Sequence, residues 1–192
     1  MKNNLFIITN ESIYYDKNKN YLCDNIDLKS IPEELNKYSQ VTIVGRRSTK
    51  QRSKKINLKQ INISRSIFSY LIFIYKSFKS ENIYYLIVSL SPYTFLASIL
   101  LKIFSKKHFI YLRSDGYQEY KSILGFIGPF IYHLMFKIGI KGSQLISCRK
   151  HLMRDNKGTV VNPSQLNEKW FKGEIKINPN NVKLLYVGRL RV

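Results

Sequence analysis

Acidic residues, cysteine, tryptophan and alanine are all scarce in this chain of 192 residues. Two cysteines, Cys23 and Cys148, exclude a disulfide scaffold and a zinc cluster of the CxxC type. His108, His133 and His151 stand apart, with no cysteine or carboxylate at ligand spacing, so no metal site and no cofactor is expected. Neither a Walker phosphate loop nor a GxGxxG fingerprint occurs. No nucleophile elbow surrounds Cys148, which reads as a structural thiol. The start shows no charged leader with an apolar core and a cleavage site; the apolar run at residues 5–8 is too short. The compartment expected on that basis is the cytosol, with reduced thiols.

Only 12 Asp plus Glu stand against 32 Lys plus Arg, giving a formal charge of +20. Part of that excess is discounted. The chain carries 23 Lys, 25 Ile, 16 Asn and 14 Tyr but a single alanine, Ala97, the residue set of A/T-rich codons. The placement of charge says more than its sum. No acid occurs between Glu34 and Glu81, and Arg46, Arg47, Lys50, Arg52, Lys54, Lys55 and Lys59 fall within fourteen positions. With 44% hydrophobic and 14% aromatic residues the chain is no disordered basic tail. Its length suits one full domain and little more, burying roughly 70% of the unfolded surface.

Short β-rich runs alternate with longer apolar segments. Strands are expected at residues 5–9 (LFIIT), 41–44 (VTIV, ended by Gly45), 84–90, 109–112, 144–147 and 159–161, with an irregular edge strand over 56–63. Helices are expected from a Ser30-Pro32-Glu33 start, and over 66–78, 92–104 and 124–140. This alternation predicts an α/β fold, a Rossmann-like, mainly parallel sheet with helices on both faces.

Residues 83–101 are nineteen in a row without a charge, long enough to cross a bilayer. Ser89, Ser91, Pro92, Tyr93 and Thr94 interrupt the middle, where Ser91-Pro92 makes a good N-cap and first helical position. The segment therefore divides into a strand, a polar turn and a helix. A second apolar stretch, 124–135, is broken by Gly125, Gly128, Pro129 and His133.

After Pro163 the composition turns polar, and residues 178–181 (NPNN) read as a linker before a new strand, 183–187 (KLLYV). The expected organisation is a first domain over residues 1–177. Residues 178–192 are expected to form a linker and the first strand of a second, truncated domain.

The segment LLYVGRLRV (184–192) resembles the opening of the donor-binding domain of glycosyltransferase family 4, retaining sugar transferases with the GT-B fold. Gly188, Arg189 and Leu190 match the family's Gly-Arg-Leu step. TVVNPSQLNEKWF (159–171) stands where the family has a short strand and an Asn-Gly-Val-Asp turn; Asn162 is kept, while Pro163 and Ser164 depart. SLSPYTFLASILLKIF (89–104) is similar to the strand-turn-helix of the acceptor domain, and FIYLRSDGYQEY (109–120) to its next strand and acceptor-facing loop. The resemblance implies that the chain is the acceptor-binding half of a GT-B transferase, inactive alone. It would move a sugar from a nucleotide-sugar donor to a cell-surface glycan or lipid-linked acceptor.

The resemblance also implies roles for residues. Gly188 and Arg189 would contact the donor diphosphate; the plainer reading of Arg189 is a strand-end cation in solvent. Asn10, Arg113, Ser114, Gly116 and Tyr117 would bind the acceptor. Asp115 stands where many members carry a histidine, so a catalytic role there competes with a simple Asp-Gly turn. The family's glycine pair after the first strand is absent. Arg46, Arg47, Arg52, Lys54 and Lys55 would rest on an anionic membrane surface, placing the protein at the inner face of the membrane; a solvated loop is the alternative. Two other functions stay open: a nucleic-acid-binding module, which lacks a recognition-helix pattern, and an integral membrane protein. No nucleic-acid partner is expected on the leading reading.

Overall fold

Alternation along the first apolar run sets two faces. Phe6 and Ile8 enter one core cluster and Ile7 the other, as the period of two in a strand requires. The run belongs to strand β1 (Asn4–Tyr15), at the centre of a sheet seen in a computed structural model that describes residues 3–80 and 82–161. Contacts within the chain separate two units, Met1–Asn162 and Pro163–Val192, and every described residue lies in the first.

The remaining strands are β2 (Tyr21–Cys23), β3 (Gln40–Arg47), β4 (Lys54–Ile56), β5 (Gln60–Ser64), β6 (Ile83–Val88), β7 (His108–Leu112), β8 (Gln144–Ser147) and β9 (Gly158–Val160). The helices are α1 (Ile26–Leu35), α2 (Ile67–Ser77), α3 (Pro92–Ile103), α4 (Gly116–Leu124) and α5 (Gly128–Gly139). Seven strands run parallel in the order β5-β3-β1-β6-β7-β8-β9. Beyond a register shift between Ile8 and Ser12, the end of β1 turns to an antiparallel flap with β2, which pairs β4. The sheet is therefore mixed and mostly parallel.

One face packs on α2, α3 and α5 through Tyr70, Ile74, Ala97, Leu101, Tyr132 and Phe136. The other packs on α1 and the flap through Leu28, Cys23 and Ile56. The β1–β6 neighbourhood is where strand order reverses, so the crevice beyond their carboxyl ends is the expected ligand position for an open parallel sheet.

The strand-turn-helix reading of the uncharged stretch holds. β6 ends at Val88, Ser89 turns with φ of 59°, and α3 starts at Pro92 after Ser91. Ser66 caps α2, accepting from Ser69 N at 3.2 Å while its own N–H donates to Ser69 Oγ at 3.1 Å.

Five other expectations are corrected. α1 begins at Ile26, not near Ser30: Asn25 Oδ1 accepts from Asp27 N at 3.0 Å, Ser30 Oγ donates back to the Ile26 carbonyl at 2.9 Å, and Pro32 lies inside the helix. β3 does not stop at Gly45. A Cβ there would sit 2.9 Å from Ile13 Cδ1 and 3.1 Å from the Glu11 carbonyl oxygen, so this glycine permits a close approach of strands. The edge strand over 56–63 is two strands, β4 and β5, and the basic cluster is not one loop: Arg46 and Arg47 end β3 while Lys54 and Lys55 lie in β4. The single helix expected over 124–140 is a 3-10 turn (Gly125–Ile127) and α5, and α4 precedes them, beginning within the stretch read as an acceptor-facing loop.

His108 opens β7 with its side chain buried, Nδ1 2.9 Å from the Lys106 carbonyl oxygen and Nε2 without a partner among the described residues. Burial first, and Lys102 as a lesser cause, hold this imidazole below the usual histidine range. The folded state therefore takes up this proton less readily than the unfolded chain. The stability tied to His108 is complete above the unfolded pKa of about 6.5 and is lost as pH falls from there through the lower folded value. Urea midpoints should stay level near neutrality and decline as pH drops below that value. In a His108→Gln variant that part of the decline should vanish.

Candidate functional site

The strand ends around the β1–β6 reversal enclose a crevice of about 440 Å³. Its walls come from the end of β1 (Thr9, Asn10, Glu11), from Arg46 of β3, from the Ser89–Pro92 turn and from Arg113 and Ser114 after β7. Glu119, Tyr120, Ile123 and Leu124 of α4 close one side.

Each polar wall residue is fixed by the sheet beneath it. Thr9 Oγ1 accepts from Glu11 N at 3.2 Å, and the Thr9 carbonyl accepts from the buried Tyr70 hydroxyl at 2.8 Å. Burial raises the Tyr70 pKa far above the usual phenol range, so the hydroxyl keeps the proton that it donates here. Ser89 N donates to the Tyr111 carbonyl at 2.9 Å and the Ser89 carbonyl accepts from Thr94 Oγ1 at 2.8 Å. These bonds hold Ser89 in the left-handed region, which non-glycine residues rarely occupy.

Two guanidinium groups face the crevice in different states. Arg113 is neutralised: its Nη2 lies 3.0 Å from Glu11 Oε1 and its Nη1 3.4 Å from Asp27 Oδ2, and Asn25 Nδ2 donates to the same Glu11 oxygen at 2.6 Å. Arg46 donates through Nε to the Asn10 carbonyl at 2.7 Å, with its charged carbon 5.5 Å from the centre of the Tyr93 ring. It has no carboxylate partner among the described residues. The unspent charge of Arg46 suits an anion or an oxygen-rich group. Asn10 Oδ1 and Ser89 Oγ are buried without a hydrogen-bond partner among the described residues. Buried polar atoms are nearly always paired, so orphans in a crevice wall fit a site that a polar ligand completes.

Of the residues expected to bind an acceptor, Asn10, Arg113 and Ser114 come together here. Asp115, Gly116 and Tyr117 do not line the crevice. Asp115 is the N-cap of α4, its Oδ1 accepting from Tyr117 N at 3.0 Å and Gln118 N at 3.4 Å. Gly116 packs on the Tyr132 ring. The Tyr117 hydroxyl lies 3.0 Å from His133 Nδ1, and its ring faces Arg154 at 4.5 Å. Gly188 and Arg189 lie outside the described residues.

Among the residues expected to meet a membrane, Arg46 instead joins the crevice. Arg52 pairs with Asp24, holding that carboxyl below the usual carboxylate range, and Lys54 Nζ donates to the Asp24 carbonyl at 3.1 Å. Arg47 and Lys55 are exposed. Sequence reasoning missed Ser89, Tyr93 and Glu119 as site residues. Only Ser89 carried a local signal, its place directly before the Ser91-Pro92 helix start.

No protein-family model, curated protein or solved structure matches the chain.

Proposed function

We propose that this chain is the acceptor-binding part of a retaining glycosyltransferase, with a Rossmann-like domain standing as the N-terminal half of a GT-B fold. The observation that carries the reading is the crevice at the β1–β6 reversal, where, among the described residues, Asn10 Oδ1 and Ser89 Oγ have no hydrogen-bond partner and Arg46 no carboxylate partner. The Gly188-Arg189-Leu190 step of the sequence supports it. Such transfer needs positive charge at a leaving nucleotide diphosphate and an acceptor hydroxyl held at the reacting carbon. On this reading Arg189 supplies the first. Asn10, Ser114 and the Arg113–Glu11 pair supply the second by hydrogen bonds to sugar hydroxyls. Asp115 acts through α4, whose first turn it caps beside the crevice residues Glu119 and Tyr120. The acceptor is a cell-surface glycan, carried on lipid at the cytoplasmic face of a membrane, with the exposed Arg47 and Lys55 toward anionic headgroups.

The test is transfer from a nucleotide-sugar panel to a lipid-linked glycan by a transfer-competent protein that carries this chain. Asn10→Ala and Arg113→Ala should raise KM for the acceptor by roughly tenfold or more, the loss expected for hydrogen bonds to charged or buried groups. KM for the donor should stay unchanged. A shift confined to the donor would remove these residues from acceptor binding, and absence of transfer with every sugar would overturn the reading.

A further inference from the structure

Gly116–Gly139 is helical over 24 residues and apolar enough to cross a bilayer, yet only 28% of its most apolar stretch is buried. The core helix of a globular domain would be mostly buried. Nor is it a rod that could span. The backbone breaks at Gly125, with φ of 66°, and α5 folds back so closely that a Cβ on Gly128 would lie 2.0 Å from the Tyr120 carbonyl oxygen. A spanning helix needs about 20 residues in one piece.

What the bend presents is an apolar tip. All seven residues from 121 to 127 are exposed. Phe126 is 89% exposed, Ile123 72% and Phe130 65%, too large and too close together to be scattered surface residues. Charge identifies the partner. No acid occurs between Glu119 and Asp155, while that interval carries six Lys or Arg. On the same two helices Lys121 and Lys137 are exposed against one exposed acid, Glu119. Apolar side chains with cations in this excess match the interface of an anionic bilayer, hydrocarbon below and phosphate beside it.

We propose that the α4–α5 tip inserts Ile123, Phe126 and Phe130 into the interfacial layer of an anionic membrane. The helices lie on the bilayer and do not cross it. Ile123 and the adjacent Leu124 also line the crevice, so insertion brings its mouth to headgroup level, where a lipid-carried acceptor presents its sugar. That last consequence rests on the sugar-transfer reading; the insertion does not.

Flotation of the protein with phosphatidylglycerol-containing vesicles, against phosphatidylcholine alone, tests it. Binding should favour the anionic vesicles and survive in part when salt is raised to about 1 M, where screening leaves only the apolar contribution. The variant Ile123→Ser/Phe126→Ser/Phe130→Ser should lose vesicle partitioning by on the order of a hundredfold, since each large side chain withdrawn from hydrocarbon is costly. Its far-ultraviolet circular dichroism should be unchanged, because these side chains are exposed. The variant Arg47→Gln/Lys54→Gln/Lys55→Gln should lose only the salt-sensitive part. With Trp170→Phe as background, Phe126→Trp should shift its emission to the blue and be quenched by acyl-chain bromine. Unchanged partitioning of the serine variant, complete release by salt, or an unquenched Phe126→Trp would each overturn insertion. So would self-association that needs Phe126 and proceeds without vesicles, which would make the partner a second copy. Transfer to a soluble acceptor without vesicle insertion would sink this inference alone; insertion without any transfer would sink the sugar-transfer reading alone.

Discussion

Replacing Arg189 by alanine in a transfer-competent protein is expected to lower turnover by about two to three powers of ten, the usual cost of removing one preorganised charge from a developing anion. The leaving nucleotide diphosphate gains negative charge as the glycosidic bond breaks. On the sugar-transfer reading Arg189 would meet that charge with no reorganisation at the moment of reaction. Its effect should fall mainly on kcat, because the charge it meets is greater in the transition state than in the bound donor. Arg189→Lys should recover only part of the loss, since an ammonium keeps the charge without the planar fork that engages two phosphate oxygens. Steady-state rates at saturating donor check both variants. Wild-type turnover in the alanine variant would remove Arg189 from the donor site.

How far the fold was legible depends on whether a signal is local. Ser91-Pro92 announces a helix start by its own chemistry, and α3 begins there, while α2 was legible from the length of its apolar run. Non-alternating apolar runs announced the buried parallel strands β1, β3, β6, β7 and β8. The start of α1 was misplaced because Ser30, Pro32 and Glu33 imitate a cap. In the structure Glu33 Oε1 instead accepts from Asn57 N at 2.7 Å, a partner 24 residues away. The flap is likewise non-local: Tyr21 pairs with Ile56 and Cys23 with Lys54, and nothing within either short strand specifies the other. At the site, Asn10, Arg113 and Ser114 could be found because strand ends carry ligands in such sheets. Arg46 stands at such a strand end too, but the cations beside it in sequence pointed to a membrane surface, and only pairing of β3 with β1 shows that it meets the Asn10 carbonyl.

The bend between α4 and α5 carries the second large effect. Gly128→Ala is expected to destabilise the domain by about 3 kcal/mol, at the upper end of the cost of inserting a methyl into filled space. The added Cβ would lie 2.0 Å from the Tyr120 carbonyl oxygen, 2.3 Å from its carbon and 2.9 Å from Lys121 N. All three are backbone atoms, so no side chain can rotate away and one helix must shift. Movement of α5 would disturb Tyr132, Met135 and Phe136, which belong to the larger core cluster. Gly142→Ala is the control. Its Cβ meets nothing within 4 Å, and only the strain of φ at 82° remains, worth about 1 kcal/mol. Urea denaturation of the two variants should separate them clearly. Tip substitutions such as Phe126→Ser, in contrast, should change stability by no more than about 0.5 kcal/mol. If Gly128→Ala unfolds at the wild-type midpoint, the two helices are not in backbone contact. The apolar residues between them would then sit on one extended helix, a geometry able to enter a bilayer lengthwise instead of resting on its surface.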